Sequence, residues 1–212
     1  MKKIFPYILL ISLVCLAYGN TLHHSFHFDD IPSILQKPWI RGLDKIPDFI
    51  FSYSQRPMVI LSFNINYAIS EFKEWSYHVF NITFHLLVVV LIYRLGKLIV
   101  SQMSEGTMSL VKVPTQMPLL AASIFAVHPL NTQAVTYISS RSSILATIFY
   151  LVTVILFFEG LYKKKMRGGE PIMFSSWVQL YLLELDSYVS LLLLAFQQYY
   201  LLTIITLFPT II

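Results

Sequence analysis

Residues 79–100 read Val79-Phe80-Asn81-Ile82-Thr83-Phe84-His85-Leu86-Leu87-Val88-Val89-Val90-Leu91-Ile92-Tyr93-Arg94-Leu95-Gly96-Lys97-Leu98-Ile99-Val100. A run of this length, with no acid in it, meets the ~20 apolar residues that a helix needs to cross a bilayer core. Its only fixed charges, Arg94 and Lys97, stand near one end. There long basic side chains can snorkel to the headgroups, so that end is expected to face the cytoplasm.

Working outward, the same pattern recurs. Met1-Lys2-Lys3 precedes an apolar run from Ile4 to Tyr18. This has the form of a signal peptide or of a signal anchor; Ala17-Tyr18-Gly19-Asn20 matches a cleavage site poorly, which favours a retained first span over residues 1–18. On the other side a third run starts at Pro118 and reaches His128-Pro129, where the missing amide hydrogen should end the helix near His128 or kink one that continues to Tyr137. A fourth run, Ser142 to Phe158, leads into Lys163-Lys164-Lys165-Met166-Arg167, the densest basic block of the chain. The positive-inside rule places that block, within a loop over 161–172, in the cytoplasm. Two further spans are expected over 174–196 and 199–212, within an apolar segment 173–212. Glu184 and Asp186 are costly inside the first of these and the second is short.

Residues 19–78 remain as a large extracytoplasmic first loop, followed by spans two to four over 79–160. The loop carries Lys37, Arg41, Lys45, Arg56 and Lys73 against Asp29, Asp30, Asp44, Asp48, Glu71 and Glu74, five minus six, or minus one. No positive excess opposes its outward placement. Composition agrees: of 212 residues 56% are hydrophobic and 12% charged, and the mean hydropathy is +0.66, too apolar for an ordinary soluble domain. The fold expected is an all-α, polytopic transmembrane helix bundle. The net charge of +4 does not indicate a nucleic-acid partner, because the lysines sit beside apolar runs as topological signals. Cys15 is the only cysteine, so an intrachain disulfide and a multi-cysteine metal site are excluded.

Chemistry-bearing residues gather in two places. The loop opens His23-His24-Ser25-Phe26-His27-Phe28-Asp29-Asp30. Adjacent carboxylates repel, which suits one of them to take a proton from a hydroxyl; equally, the pair could cap a helix starting at Ile31-Pro32. The histidines and aspartates together could ligate a divalent metal, though their spacing matches no metal motif. In the second span His78, Asn81 and His85 recur at i, i+3 and i+7 and share one helix face. Such a stripe either lines a polar cavity or makes interhelical hydrogen bonds. Asn81-Ile82-Thr83 fits the glycosylation sequon, a match without meaning inside a bilayer. Arg56 and Arg141 are outer positive charges suited to phosphate or to lipid headgroups.

One ordered series of short motifs goes further. It comprises Phe28-Asp29-Asp30, Arg56-Pro57, Leu61-Ser62-Phe63-Asn64-Ile65-Asn66-Tyr67, Tyr77-His78-Val79-Phe80-Asn81 with His85, Phe125-Ala126-Val127-His128-Pro129, Thr132-Gln133-Ala134-Val135 and Tyr137-Ile138-Ser139-Ser140-Arg141. Over about residues 4 to 160 this resembles the amino-terminal membrane half of the transmembrane and tetratricopeptide-repeat O-mannosyltransferase-like proteins, of the GT-C glycosyltransferase superfamily. The resemblance implies an inverting transfer of sugar from a polyprenyl-phosphate donor to an acceptor hydroxyl, protein O-mannosylation in the family, on the outer or lumenal face. It makes Asp29 or Asp30 the base; Arg56 and Arg141 are then our own candidates for the donor phosphate, and His78, Asn81, His85 and His128 for orienting the substrate. No cofactor is required; a divalent metal is compatible but unnecessary, because protein cations can stabilise the phosphate.

The chain departs from the family in three respects. Members have roughly twice as many spans and many add repeats of about 34 residues. The family's acid after His-Pro-x-x-Thr is Gln133 here, and beyond about residue 180 the likeness ends. A truncation or a shifted reading frame is therefore expected. The competing reading is a truncated, non-catalytic membrane protein that binds a lipid-linked donor or a partner, since a site built for a larger bundle needs support. A transporter lacks the internal repeats and broken pair of spans it would need.

Overall fold

The computed structural model describes residues 4–42, 56–105 and 114–167. The loop charges Asp44, Lys45 and Asp48, Lys112, and the two C-terminal spans with Glu184 and Asp186 lie outside the described residues. Among those described every regular element is helical. Three helices are long and apolar enough to cross a membrane, within Phe5–His23, Glu74–Ser101 and Ile138–Leu156.

α1, Phe5–Tyr18, carries Pro6 in its first turn, where the missing amide hydrogen has no intrahelical partner to lose. It tightens into a 3-10 turn over Gly19–His23. The first loop then holds more structure than its mixed composition announces. A π-helical turn, Ile31–Leu35, and a 3-10 turn, Pro38–Arg41, precede α2, Pro57–Ser70. The buried residues of α2 include Val59, Ser62, Phe63 and Asn66. They stand at i, i+3, i+4 and i+7, one stripe of a helix. The stripe mixes polar with apolar side chains, which hid it from a reading based on hydropathy.

α3, Glu74–Glu105, begins five residues before the apolar run does. Glu74 in its first turn complements the helix dipole, and Tyr77 and His78 are buried rather than in open loop. This helix is the central post. Val88 packs into a core formed with α2, the loop turns and the helix Arg141–Arg167, while the adjacent Val89 packs into a second core formed with α1 and the helix Met117–Ala126.

The third run does not form one crossing helix. α4, Met117–Ala126, has ten residues, about 15 Å at ~1.5 Å per residue. That is half of the ~30 Å of a bilayer core. After a break at 127–130 comes α5, Asn131–Thr136, then a 3-10 turn, Ile138–Ser140. The fourth run is α6, Arg141–Arg167, whose backbone stays helical through the basic block that was expected to be a loop.

Side-chain registers give the directions of these elements. Tyr7 meets Tyr93 and Tyr18 meets His85 edge-on, so α1 runs antiparallel to α3. Pro118 lies against Gly96, Ala126 against His85 and Val135 against Asn81, so α4 and α5 together also run antiparallel to it. Arg141 meets Asn81, and Glu159 pairs with Arg94 at 2.5 Å, so α6 runs parallel to it.

Gly96 is the tightest of these crossings. A Cβ there would stand 3.0 Å from Pro118 Cβ and 3.2 Å from its Cα. Gly96→Leu is expected to force α3 and α4 apart and lower the thermal unfolding midpoint in detergent, at a cost of about 1–3 kcal/mol. An unchanged midpoint would contradict the register.

Candidate functional site

Pro129 creates a polar problem that His85 of the α3 stripe, together with Asn131 and Tyr18, solves. Lacking an N–H, it cannot bond the Phe125 carbonyl four residues back; the Asn131 side chain donates to that carbonyl instead, at 2.7 Å. The next carbonyl, of Ala126, accepts from His85 Nε2 at 3.2 Å. Leu130 N–H donates to His128 Nδ1 at 3.3 Å, and the His128 carbonyl accepts from the Tyr18 hydroxyl at 3.4 Å. His85 is further held by its ring, stacked on Phe125 at 5.7 Å.

Asn81 and His78 do the same work nearer the start of α3. Asn81 Nδ2 donates to the carbonyls of Val135, at 3.2 Å, and Tyr137, at 3.4 Å. His78 Nε2 bonds the His24 carbonyl at 2.9 Å, tying the loop entrance to α3. Its Nδ1 is buried with no partner among the described residues. The interhelical alternative for the stripe therefore describes its contacts, each residue serving a carbonyl at a helix end or in a connecting turn. His128 is exposed and, like His85, lies farther along the bundle; from His78 to His85 is about 10 Å at ~1.5 Å per residue.

Arg141 occupies the centre of the junction of α2, α3 and α6 and is fully buried, at 0% exposure. Its Nε donates to Asn81 Oδ1 at 2.7 Å, NH1 to Asn66 Oδ1 at 2.6 Å and Ser62 Oγ at 3.1 Å, and NH2 to the Tyr77 carbonyl at 3.1 Å. The rings of Phe63, Phe80, Tyr77 and Phe84 surround the guanidinium with centroids 4.4–5.9 Å away. Among the described residues no carboxylate forms an ion pair with it. Neutral acceptors and aromatic faces carry its charge. This geometry does not present Arg141 to a ligand.

The acid pair lies beside the same junction, and its two members differ. Asp30 is 2% exposed. Its Oδ1 accepts the Ser139 N–H at 2.7 Å and its Oδ2 the His27 N–H at 3.1 Å. No side-chain bond caps the turn at Ile31–Leu35, so the capping alternative is not what the carboxylate does. Asp29 is exposed; its backbone N–H donates to the Tyr137 hydroxyl at 2.9 Å. Among the described residues its carboxylate has no partner. Arg56, half-buried, reaches Ser142 Oγ at 3.5 Å, next to Arg141 in the chain.

The 137–142 segment thus gathers Asp29, Asp30 and Arg56 at one end of the bundle, with His78 and Asn81 behind them. His85 and His128 are not part of that group. No three His, Cys, Asp or Glu side chains among the described residues come together as metal ligands. Tyr137, Ser139, Ser62 and Asn66 have roles that sequence reasoning did not assign; the i, i+4 spacing of Ser62 and Asn66 was the available signal.

Among curated proteins, protein O-mannosyl-transferase TMTC3 of Mus musculus is 30% identical over 156 residues, 68% of this chain and 16% of its own length. A protein O-mannosyl-transferase of Caenorhabditis elegans is 33% identical over 163 residues, 70% of this chain and 22% of its length. Protein O-mannosyl-transferase TMTC1 of Homo sapiens is 28% identical over 178 residues, 77% of this chain and 19% of its length. The chain therefore spans about a fifth of the relatives it matches. No protein-family model matches it, and no solved structure matches it.

Arg141→Met would leave the buried oxygens of Asn81, Asn66 and Tyr77 without this donor, at about 1–3 kcal/mol for each group left unsatisfied. Arg141→Lys keeps the charge but not the planar fork. The expected order of thermal stability in detergent is wild type, then Lys, then Met, with Met losing most of the cooperative transition. A Met variant as stable as wild type would remove the structural role.

Proposed function

Over the portion that matches, this chain belongs to the transmembrane and tetratricopeptide-repeat O-mannosyltransferase-like family, and from that premise we propose that it transfers a sugar from a polyprenyl-phosphate donor to an acceptor hydroxyl. The sugar is mannose and the acceptor a protein, by analogy with the relatives, which are named protein O-mannosyl-transferases. The reaction belongs to the extracytoplasmic face, in a GT-C-like site where the first loop meets the membrane.

The observation that carries the reading is the asymmetry of the acid pair. Asp30 is buried with both oxygens engaged, and Asp29 next to it is exposed with its carboxylate unengaged among the described residues. In the proposed step Asp29 takes the acceptor's proton as the acceptor oxygen bonds to the anomeric carbon. The bond from that carbon to the lipid phosphate breaks on the opposite side, inverting the centre and releasing polyprenyl phosphate. Arg56 is the cation for the leaving phosphate, where negative charge grows toward the transition state. Arg141, with its donors engaged, supports the segment on which these groups stand. The step requires no metal, because a protein cation can stabilise the phosphate.

Topology supports the outward placement of the site. Lys2 and Lys3, Arg94 and Lys97, and the block from Lys163 to Arg167 all fall on the cytoplasmic side if α4 and α5 make one broken crossing between α3 and α6. Their antiparallel path along α3 is the direction this requires. The alternative to transfer is that this portion binds the lipid-linked donor or a partner without transferring sugar.

Asp29→Asn is expected to reduce transfer of radiolabelled mannose from polyprenyl-phosphate mannose, in membranes holding the chain, by about 10²–10⁴-fold. Asp30→Asn, which keeps one acceptor oxygen, is expected to retain more activity. Undiminished transfer by Asp29→Asn overturns the base assignment. Donor binding without transfer by the wild-type chain would select the second reading.

A further inference from the structure

An exposed carboxylate at a turn samples many positions unless its backbone is held, and a base works only from one of them. Here the backbone is held at unusual cost. Phe28, immediately before Asp29, has φ 46°, the left-handed region that side chains other than glycine avoid. Its ring is 85% exposed, so packing of that ring does not explain the conformation. The flanking amides do offer an explanation: Asp30 N–H bonds the His27 carbonyl at 2.9 Å, and Ile31 N–H the Phe28 carbonyl at 3.2 Å. Two bonds then reach out of the turn to a segment more than a hundred residues away. Asp29 N–H donates to Tyr137 Oη, and Asp30 Oδ1 accepts from Ser139 N–H.

We propose that Tyr137 is a positioning residue, whose hydroxyl fixes the Asp29 backbone and so sets where the reactive carboxylate stands above the 137–142 segment. Asp30 fastens the turn to that segment from the buried side, and Tyr137 fastens it from the exposed side. The Asp29 carbonyl is held locally by the Ser33 N–H at 3.0 Å, but without Tyr137 the Asp29 N–H has no anchor outside the turn and the Phe28–Asp29 peptide is freer to swing. The hydroxyl oxygen of Tyr137 removes that freedom. The inference rests on Asp29 being the base, as proposed above.

Tyr137→Phe deletes the acceptor and keeps the ring, which leaves the packing in place. The first readout is backbone amide exchange in the detergent-solubilised chain, where the variant should exchange faster across residues 28–30 at an unchanged thermal midpoint. The second is steady-state transfer from polyprenyl-phosphate mannose. There kcat should fall about 10- to 100-fold with KM for the donor within about twofold, because the hydroxyl acts on the base rather than on donor binding.

Exchange equal to wild type overturns the clasp whatever the activity. Faster exchange with undiminished kcat overturns its role in positioning. If instead Asp29→Asn transfers as well as wild type, the base assignment fails, and the exchange result still decides separately whether Tyr137 holds the turn.

Discussion

A guanidinium with no access to water, and with no carboxylate to pair with among the described residues, is the constraint around which the described part of this chain is arranged. Burying an ion costs several kcal/mol even after relaxation, so Arg141 is tolerated only where its donors and its charge are both met. Asn81, Asn66, Ser62 and the Tyr77 carbonyl meet the donors. Four aromatic faces meet the charge, at about 0.5–2 kcal/mol each. Those groups come from α2 and α3, and Arg141 opens α6, so one side chain fixes the mutual position of three helices. The residues just before it in the chain, Tyr137 and Ser139, hold the acid pair. The residue just after it, Ser142, meets Arg56. What stands at this end of the bundle inherits its geometry from Arg141.

The polar stripe of α3 answers a second constraint. A broken helix leaves carbonyls without donors, and inside an apolar bundle water is not at hand to supply them. His85, Asn131 and Tyr18 serve the break that Pro129 causes, Asn81 serves the end of α5, and His78 serves the loop entrance. Read alone, histidines on a hydrophobic helix invite a catalytic role. Placed against these carbonyls, they are what allows α4 and α5 to run beside α3 as two short pieces.

How much of this could be read from the chain differs by element. α1, α3 and α6 were legible because each is a long apolar run with basic residues beyond one end, a signal independent of partners. The break at His128-Pro129 was legible because proline acts locally; that the resulting helix would be too short to cross by itself was not drawn from it. α2 was missed because its buried stripe includes Ser62 and Asn66, whose burial makes sense only with Arg141 in place. Arg141 was read as a surface cation since nothing near it in sequence can cage it; its partners lie 60 to 79 residues away. The acid pair was found, but the difference between Asp29 and Asp30 depends on Ser139 and Tyr137, about 109 and 108 residues distant.

On the proposed orientation Asp29 is open to the extracytoplasmic side and Asp30 is sealed behind it. Carboxylate modification with a water-soluble carbodiimide and an amine separates the two, in sealed, cytoplasmic-side-out vesicles holding the chain and again after the vesicles are opened, with the sites mapped by mass spectrometry. Asp29 is expected to be modified only once the vesicles are open, with Asp30 protected throughout. Equal modification of Asp29 and Asp30, or modification of Asp29 in sealed vesicles, would contradict it.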